Sequence, residues 1–327
     1  MTAAGPRILV VRLGAMGDII HALPAVASLK HSFPRSHVTW AVELRWAALL
    51  ADNPFVDRLL PLDRASRGGW RQLWRDLRAG HFDFAVDLQG LLKSALVACV
   101  ARTERIYGFH PSVAREPLAA LFYSDKISTR AVHRVDRNLE LASGAGAGTM
   151  LHSFPMPPGR AEGPLPETFV LASPLSGWAA KQWPLEYYAQ LAARLRREAG
   201  IPLVLNGPPE ARETLAGIQD AIAHVSSIDG LIDATRRACA VVGVDSGPLH
   251  VAAALGRPGV AIYGPTDPAQ TGPYGTSFTV LRHPGAVTSY KRRDEICASM
   301  RAIMPDAVFD AVQARLAGHT HPADCLA

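Results

Sequence analysis

The chain is poor in the features that would place it outside the cell, in a membrane or on a metal. Its four cysteines, Cys99, Cys239, Cys297 and Cys325, are far apart and form no Cys-x-x-Cys pair. Neither a disulfide frame nor a zinc site is expected, and the thiols read as reduced. No cluster of His, Cys, Asp and Glu has ligand spacing, so no metal and no cofactor are expected. No apolar run reaches the roughly 18 residues that a spanning helix needs. Arg7 and Arg12 bracket only four apolar residues, too few for a signal peptide, which makes the cytoplasm the expected compartment. Zinc-finger spacing, an aromatic-rich strand motif and a basic recognition helix are all missing, so nucleic acid is not an expected partner.

What is present suits two globular α/β domains: 327 residues, 48% apolar and 19% charged. Charge is unevenly placed. Met1 to Arg160 carries 20 Lys+Arg against 13 Asp+Glu, a net +7, while the remainder carries 14 against 16, a net −2, which together give the +5 of the whole chain. The first half is therefore suited to an anionic partner such as a phosphorylated substrate or an anionic membrane surface.

Residues 1–150 alternate strands with helices, at least five strands beginning with Arg7 to Arg12. A composition rich in Gly, Ala and Pro over about 144–166 reads as a linker. A second alternation fills 166–327, with a helix running to Ala223 and a last helix free to pack back on the first domain. The expected class is α/β, two Rossmann-like doubly wound domains facing each other across a cleft.

Two turns carry the chemistry. After the first strand comes Leu13-Gly14-Ala15-Met16-Gly17-Asp18, then a helix from Ile19 to Lys30. Gly14 and Gly17 match the last two glycines of the dinucleotide fingerprint, but Arg12 stands at the first, which leaves a nicotinamide enzyme as a minor alternative. Asp18 fits either an N-cap or a general base at the carboxyl edge of a sheet. Glu43, at the tip of the second strand, fits a solvated loop carboxylate or a ribose ligand.

The second turn is Gly243-Val244-Asp245-Ser246-Gly247-Pro248-Leu249-His250. It converts a buried strand into a helix closed by Gly256 at C′. Ser246 and Gly247 then meet the amino end of that helix, which favours a diphosphate, and Asp245 can accept from a hydroxyl or act as a cap. Between the two turns, Arg64, Arg67, Arg71, Arg75 and Arg78 with Trp70 and Trp74 form a loop and helix. These suit lipid phosphates or a membrane face, or else a solvated helix face with one buried tryptophan.

Six motifs in order make the chain resemble the family 9 glycosyltransferases: Gly17-Asp18 with Leu23-Pro24, Asp87 to Ser94, Arg115-Glu116-Pro117-Leu118, Lys181-Gln182-Trp183-Pro184, Asp245-Ser246-Gly247 with His250, and Tyr263 to Pro268. The resemblance implies the GT-B fold and an inverting, metal-independent heptosyltransferase. The donor would be ADP-heptose, held by 166–327. The acceptor would be a Kdo residue of the lipopolysaccharide inner core, an anionic lipid-linked sugar held by 1–150, peripherally at the inner face of the cytoplasmic membrane. Residue by residue, it makes Asp18 the base, Lys181 the cation on the leaving diphosphate, and Ser176, Asp245, Ser246, Gly247 and His250 donor contacts. Arg64, Arg67 and Arg115 become acceptor contacts. The open rivals are a relative with another nucleotide sugar or acceptor, and a nucleotide-sugar binding protein without transfer activity.

Overall fold

The computed structural model describes residues 5–291 and 293–318; Cys325 lies outside them. Contacts divide the chain into two compact units, Met1–Pro157 and Pro158–Ala327.

The first unit is a parallel sheet of six strands: β1 (Arg7–Val11), β2 (His37–Glu43), β3 (Arg58–Leu62), β4 (Phe84–Asp87), β5 (Arg105–Phe109) and β6 (Asp125–Ile127), in the order β3-β2-β1-β4-β5-β6. β1 is central and its Val11 faces Ala41 of β2 on one side and Asp87 of β4 on the other. A central parallel strand is covered on both faces, which is why Ile8, Leu9, Val10 and Val11 are all fully buried and the run is continuously apolar. Helices Gly69–Ala79 and Leu92–Val100 lie over the core of Leu9, Val11, Leu73, Leu77 and Ala98.

The second unit repeats the plan with β7 (Val170–Ser173), β8 (Leu203–Gly207), β9 (Ala221–Val225), β10 (Ala240–Val244), β11 (Gly259–Tyr263) and β12 (Phe278–Arg282), ordered β12-β11-β10-β7-β8-β9. In each sheet the order reverses beside the unit's first strand, between β1 and β4 and between β7 and β10. Ligands of doubly wound sheets bind outside the carboxyl ends of the strands at such a switch point. Residues just past Val11, Asp87, Ser173 and Val244 are thereby singled out.

Several expectations are corrected. The helix expected from Ile19 to Lys30 is two, Met16–Ile20 and Leu23–Ser32, because Pro24 lacks the N–H that a continuous helix would need there and instead sits in the first turn of the second. The helix expected to reach Ala223 stops at Ala216. Asp220 then takes a left-handed φ of 59° and the chain turns into strand β9. The segment 144–166, expected as a linker, contains the boundary between the two units, and it is hydrogen-bonded on either side of that boundary. Ser32 and Ser28 accept the N–H groups of Gly148 and Leu151, and Asn53 donates to the carbonyl of Pro155. Beyond Pro158, Arg160 donates to the Asp229 carbonyl and Glu162 accepts from Ser227. The last helix, Pro305–Ala317, is built into the second unit, where Val308, Phe309 and Val312 join the core of β10 and β11.

Candidate active site

In the first unit Asp18 sits in a cage of arginines. Its carboxylate is 2.8 Å from Arg12, 3.1 Å from Arg115 and 3.4 Å from Arg134. Burial by itself raises the Asp18 pKa, but the guanidinium groups of Arg12, Arg134 and Arg115 outweigh it and hold the carboxyl well below the usual range. Asp18 lies in the first turn of its helix but does not cap it; the N-cap is Ala15, without a side-chain bond. The same residues line a pocket with His21, Gln89, Arg137 and Asn138. Its wall is dense in positive charge and fits an anion with a hydroxyl near Asp18.

Each piece of the cage has a local cause. Arg12 directly follows β1, is buried, and donates to the carbonyl of Leu88 as well as to Asp18. Asp87 closes β4 and acts structurally: its Oδ1 accepts from the N–H groups of Gln89 and Gly90, and its Oδ2 accepts from Ser94 and Tyr123. Burial pushes the Asp87 carboxyl up. The turn so fixed lets Gln89 accept from the N–H of Leu13, tying it to the glycine loop. Glu116 accepts from the N–H of Leu92 at the start of its helix, which leaves the neighbouring Arg115 to reach Asp18.

The tip of β2 holds a second carboxylate. Glu43 is buried and receives Arg45 at 2.8 Å and Arg64 at 2.9 Å, so it is not the solvated loop carboxylate expected from sequence. It stands beside Gly14, where a Cβ would come within 3.0 Å of the Trp46 indole nitrogen. A side chain there would press on the indole. Arg64 is therefore anchored at the rim of the glycine loop, while Arg67 is exposed and makes no such ion pair among the described residues. Trp70 and Trp74 are both about half exposed, at 45% and 51%, so neither is the buried tryptophan considered for that helix.

In the second unit Lys181, Asp245 and His250 come together. Lys181 Nζ donates to Asp245 Oδ2 at 2.8 Å and to its carbonyl at 3.1 Å, and lies 4.6 Å from the centre of the Trp178 ring. His250 Nε2 is 3.6 Å from Asp245 Oδ1. The Tyr263 hydroxyl, 3.5 Å from that oxygen, donates to the Thr271 carbonyl at 2.7 Å. Burial alone raises the Asp245 pKa, but His250 and Lys181 overcome it and hold the carboxyl low. Ser176 belongs to the loop carrying Lys181; its hydroxyl donates to the Trp178 carbonyl, and its own carbonyl accepts from Gln182.

Ser246 is the N-cap of helix Gly247–Ala254 without a capping bond, and its hydroxyl is buried with no hydrogen-bond partner among the described residues. The Thr266 hydroxyl after β11 is in the same state. Buried hydroxyls left unbonded at a helix amino end are costly unless a ligand completes them. Gly256 follows with a φ of 66°, the left-handed C′ residue expected of it. Pro248 lies in the first turn and supplies no N–H. Among the described residues no group of three or more His, Cys, Asp or Glu could hold a metal, and no helix is long and apolar enough to cross a membrane.

Sequence reasoning did not single out Arg134 or the pairing role of Arg12. Arg134 had a readable signal: it opens helix Arg134–Gly144, where the helix dipole disfavours a cation, so an arginine there calls for an anionic partner.

The family model described as glycosyltransferase family 9 (heptosyltransferase) matches residues 70–299. Lipopolysaccharide heptosyltransferase 1 of Escherichia coli K12 is 32% identical over 307 residues, covering 85% of this chain and 94% of that one. The protein of the same description from Pseudomonas aeruginosa is 32% identical over 299 residues, 83% and 82% of the two chains. The solved structure of E. coli heptosyltransferase WaaC with ADP superposes with a TM-score of 0.77 at 27% identity, over 94% of this chain and 99% of that one. The two doubly wound units are thus those of the GT-B glycosyltransferases, and the chain belongs to glycosyltransferase family 9.

Proposed function

We propose that the protein transfers heptose from ADP-heptose to a Kdo residue of the lipopolysaccharide inner core, with inversion at the anomeric carbon and without a metal. The observation that carries the reading is the pair of charged sites at equivalent switch points, a caged carboxylate in one unit and a lysine beside a phosphate-type turn in the other. Similarity to a heptosyltransferase solved with ADP supports the donor half.

In this reading the Asp18 carboxylate takes the proton of the acceptor hydroxyl as its oxygen bonds to the anomeric carbon. The bond from that carbon to the diphosphate breaks on the opposite side, and the electron pair leaves with ADP. Lys181 faces that growing negative charge, with Ser246 and Gly247 supplying hydrogen bonds, Asp245 and His250 orienting the donor, and Ser176 bordering the phosphates. A carboxylate held low by three arginines is a weak base. An anionic acceptor gives Arg115 and Arg134 a second partner, which loosens their hold and strengthens Asp18 once the acceptor is seated. Arg64 and Arg67 meet further acceptor phosphates. The enzyme works in the cytoplasm, at the inner face of the membrane that carries its lipid-linked acceptor.

The test is release of ADP from ADP-heptose that depends on a Kdo-terminated acceptor, with a thermal-shift comparison of nucleotides beside it. ADP should stabilise the protein and UDP, GDP and NAD should not. Stabilisation by UDP with none by ADP would assign the donor site to another nucleotide sugar, and binding without turnover would leave a binding protein.

A further inference from the structure

We propose that the outer helical layer of the first unit is a docking face for an anionic phospholipid bilayer, with Trp70, Trp74, Leu118 and Leu121 entering the interface and Arg75 and Arg78 meeting headgroups. This rests on the reading above only in that the acceptor is lipid-linked.

Helix Gly69–Ala79 buries Leu73 and Leu77 and turns Trp70 and Trp74, four residues apart, outward on one face. Helix Leu92–Val100 packs beside it and exposes Leu96. The 3-10 turn Pro117–Phe122 packs on that second helix, burying Ala119 and Ala120 and exposing Leu118 at 60% and Leu121 at 77%. The buried sides of all three elements share one core, so their outward residues occupy one layer. Exposed large side chains scattered singly are ordinary, whereas five on three adjoining elements mark an interaction surface.

The chemistry of the layer selects the partner. Tryptophan and leucine beside arginine is the composition of a surface that lies in the headgroup region, apolar bodies down and guanidinium groups on phosphates. Arg78 stacks on Trp74 at 5.4 Å, and Arg71 and Arg75 stand exposed on the same helix. A second copy of the chain would bring this basic face against itself and be repelled. An anionic lipid surface is attracted to it.

Flotation of the full-length protein with vesicles of phosphatidylglycerol and phosphatidylcholine, or of phosphatidylcholine alone, tests the assignment. Binding should need phosphatidylglycerol. The pair Trp70→Ser with Trp74→Ser, and the pair Arg75→Gln with Arg78→Gln, should each weaken it by about tenfold or more, the arginine pair also flattening its salt dependence. Turnover of a short-chain, water-soluble acceptor should stay within about twofold in both, which reports that the site is intact. Wild-type protein that ignores anionic vesicles overturns membrane docking altogether, while variants that bind as well as wild type overturn this face and leave docking elsewhere. Loss of self-association in the tryptophan pair by sedimentation, without loss of vesicle binding, would make the layer a dimer interface. None of these outcomes bears on sugar transfer, which the soluble acceptor reads separately.

Discussion

Arg12 Nη2 lies 2.8 Å from Asp18 Oδ2, and both side chains are largely withdrawn from solvent at 4% and 19% exposure. An ion pair so placed fixes the direction of the carboxylate and keeps it charged, because removing either partner strands the other in a low-dielectric setting. Arg12 occupies the position where a dinucleotide-binding loop has its first glycine. The residue that breaks the nicotinamide fingerprint is thus the one that orients the proposed base.

Asp18→Asn keeps the size of the side chain and removes its basic lone pair. Turnover should fall by about 10²-fold or more, while the affinity for ADP, measured by calorimetry, should hold. Turnover within about threefold of wild type would reduce Asp18 to an anchor for its arginines.

Acid sensitivity follows from the same charges. Asp18 and Asp245 are both held below the ordinary carboxylate pKa of 3.8 in the folded protein. Stability from a depressed carboxyl is fully present above the unfolded value and is lost as pH falls through the folded one. Thermal unfolding should therefore be insensitive to pH from neutrality to about pH 5 and drop steeply below about pH 4. Asp245→Asn should be less stable than wild type at pH 7 and lose less on acidification, and equal acid losses in the two proteins would remove Asp245 from this account.

Arg115 and Arg134 reach Asp18 from two separate segments, and the acceptor is expected to claim both. Replacing either by Gln should raise the acceptor KM, with the defect shrinking at high salt as screening weakens the wild-type attraction too. Each replacement also relieves Asp18 of a cation, so the carboxyl becomes easier to protonate and the acid limb of kcat/KM should move to higher pH. A KM effect with an unmoved acid limb would make the arginines acceptor ligands only.

These residues show what a sequence discloses and what it hides. The two alternations and both turns were legible because continuous apolar strands and glycine loops follow from backbone needs that are local. Asp18 and Asp245 drew attention for the same reason, each following a strand at a recognisable turn, whereas Lys181, in a loop eight residues past β7, was singled out only by the family resemblance. Arg134 was not, since its place beside Asp18 depends on a packing of helix Arg134–Gly144 across more than 100 positions of chain. Strands β9 and β12 were missed because, at the edges of their sheet, they are half exposed, which blurs the continuous apolar signal of the buried strands. The burial of Glu43 was hidden by its partners: Arg64 lies 21 residues away, and only the folded rim makes a solvated carboxylate into an anchor.

Glu43 in turn makes a prediction about Arg64. With Glu43→Gln, Arg64 and Arg45 lose their fixed partner and the rim of the glycine loop loosens. The acceptor KM should rise about as much as in Arg64→Ala, and the double variant should be little worse than either, because the two side chains act as one unit. Fully additive losses would separate them and leave Glu43 with a role of its own in holding Trp46 and Gly14.

Lys181 is the last and sharpest case, because in the proposed mechanism it supplies the positive charge that a metal would otherwise provide. Its ammonium is held by Asp245 from below and by the face of Trp178, which positions a single positive charge beside the turn at Ser246. When the bond to the diphosphate breaks, that charge lowers the barrier only if it is already in place. Lys181→Ala should thus lower kcat by about 10²-fold or more. Lys181→Arg should recover part of that loss, since the charge remains but its fork no longer fits a site built for a compact ammonium. Wild-type activity should persist in excess EDTA. Loss in EDTA with recovery on adding magnesium would sink the metal-free mechanism and direct attention to Asp245 and Asp267 as ligands, although Asp267 already accepts from the N–H of Ala269 as a helix cap. Tight ADP binding to the Lys181→Ala protein with turnover lost would complete the argument, because it would show the lysine acting on the departing diphosphate and not merely on the resting donor.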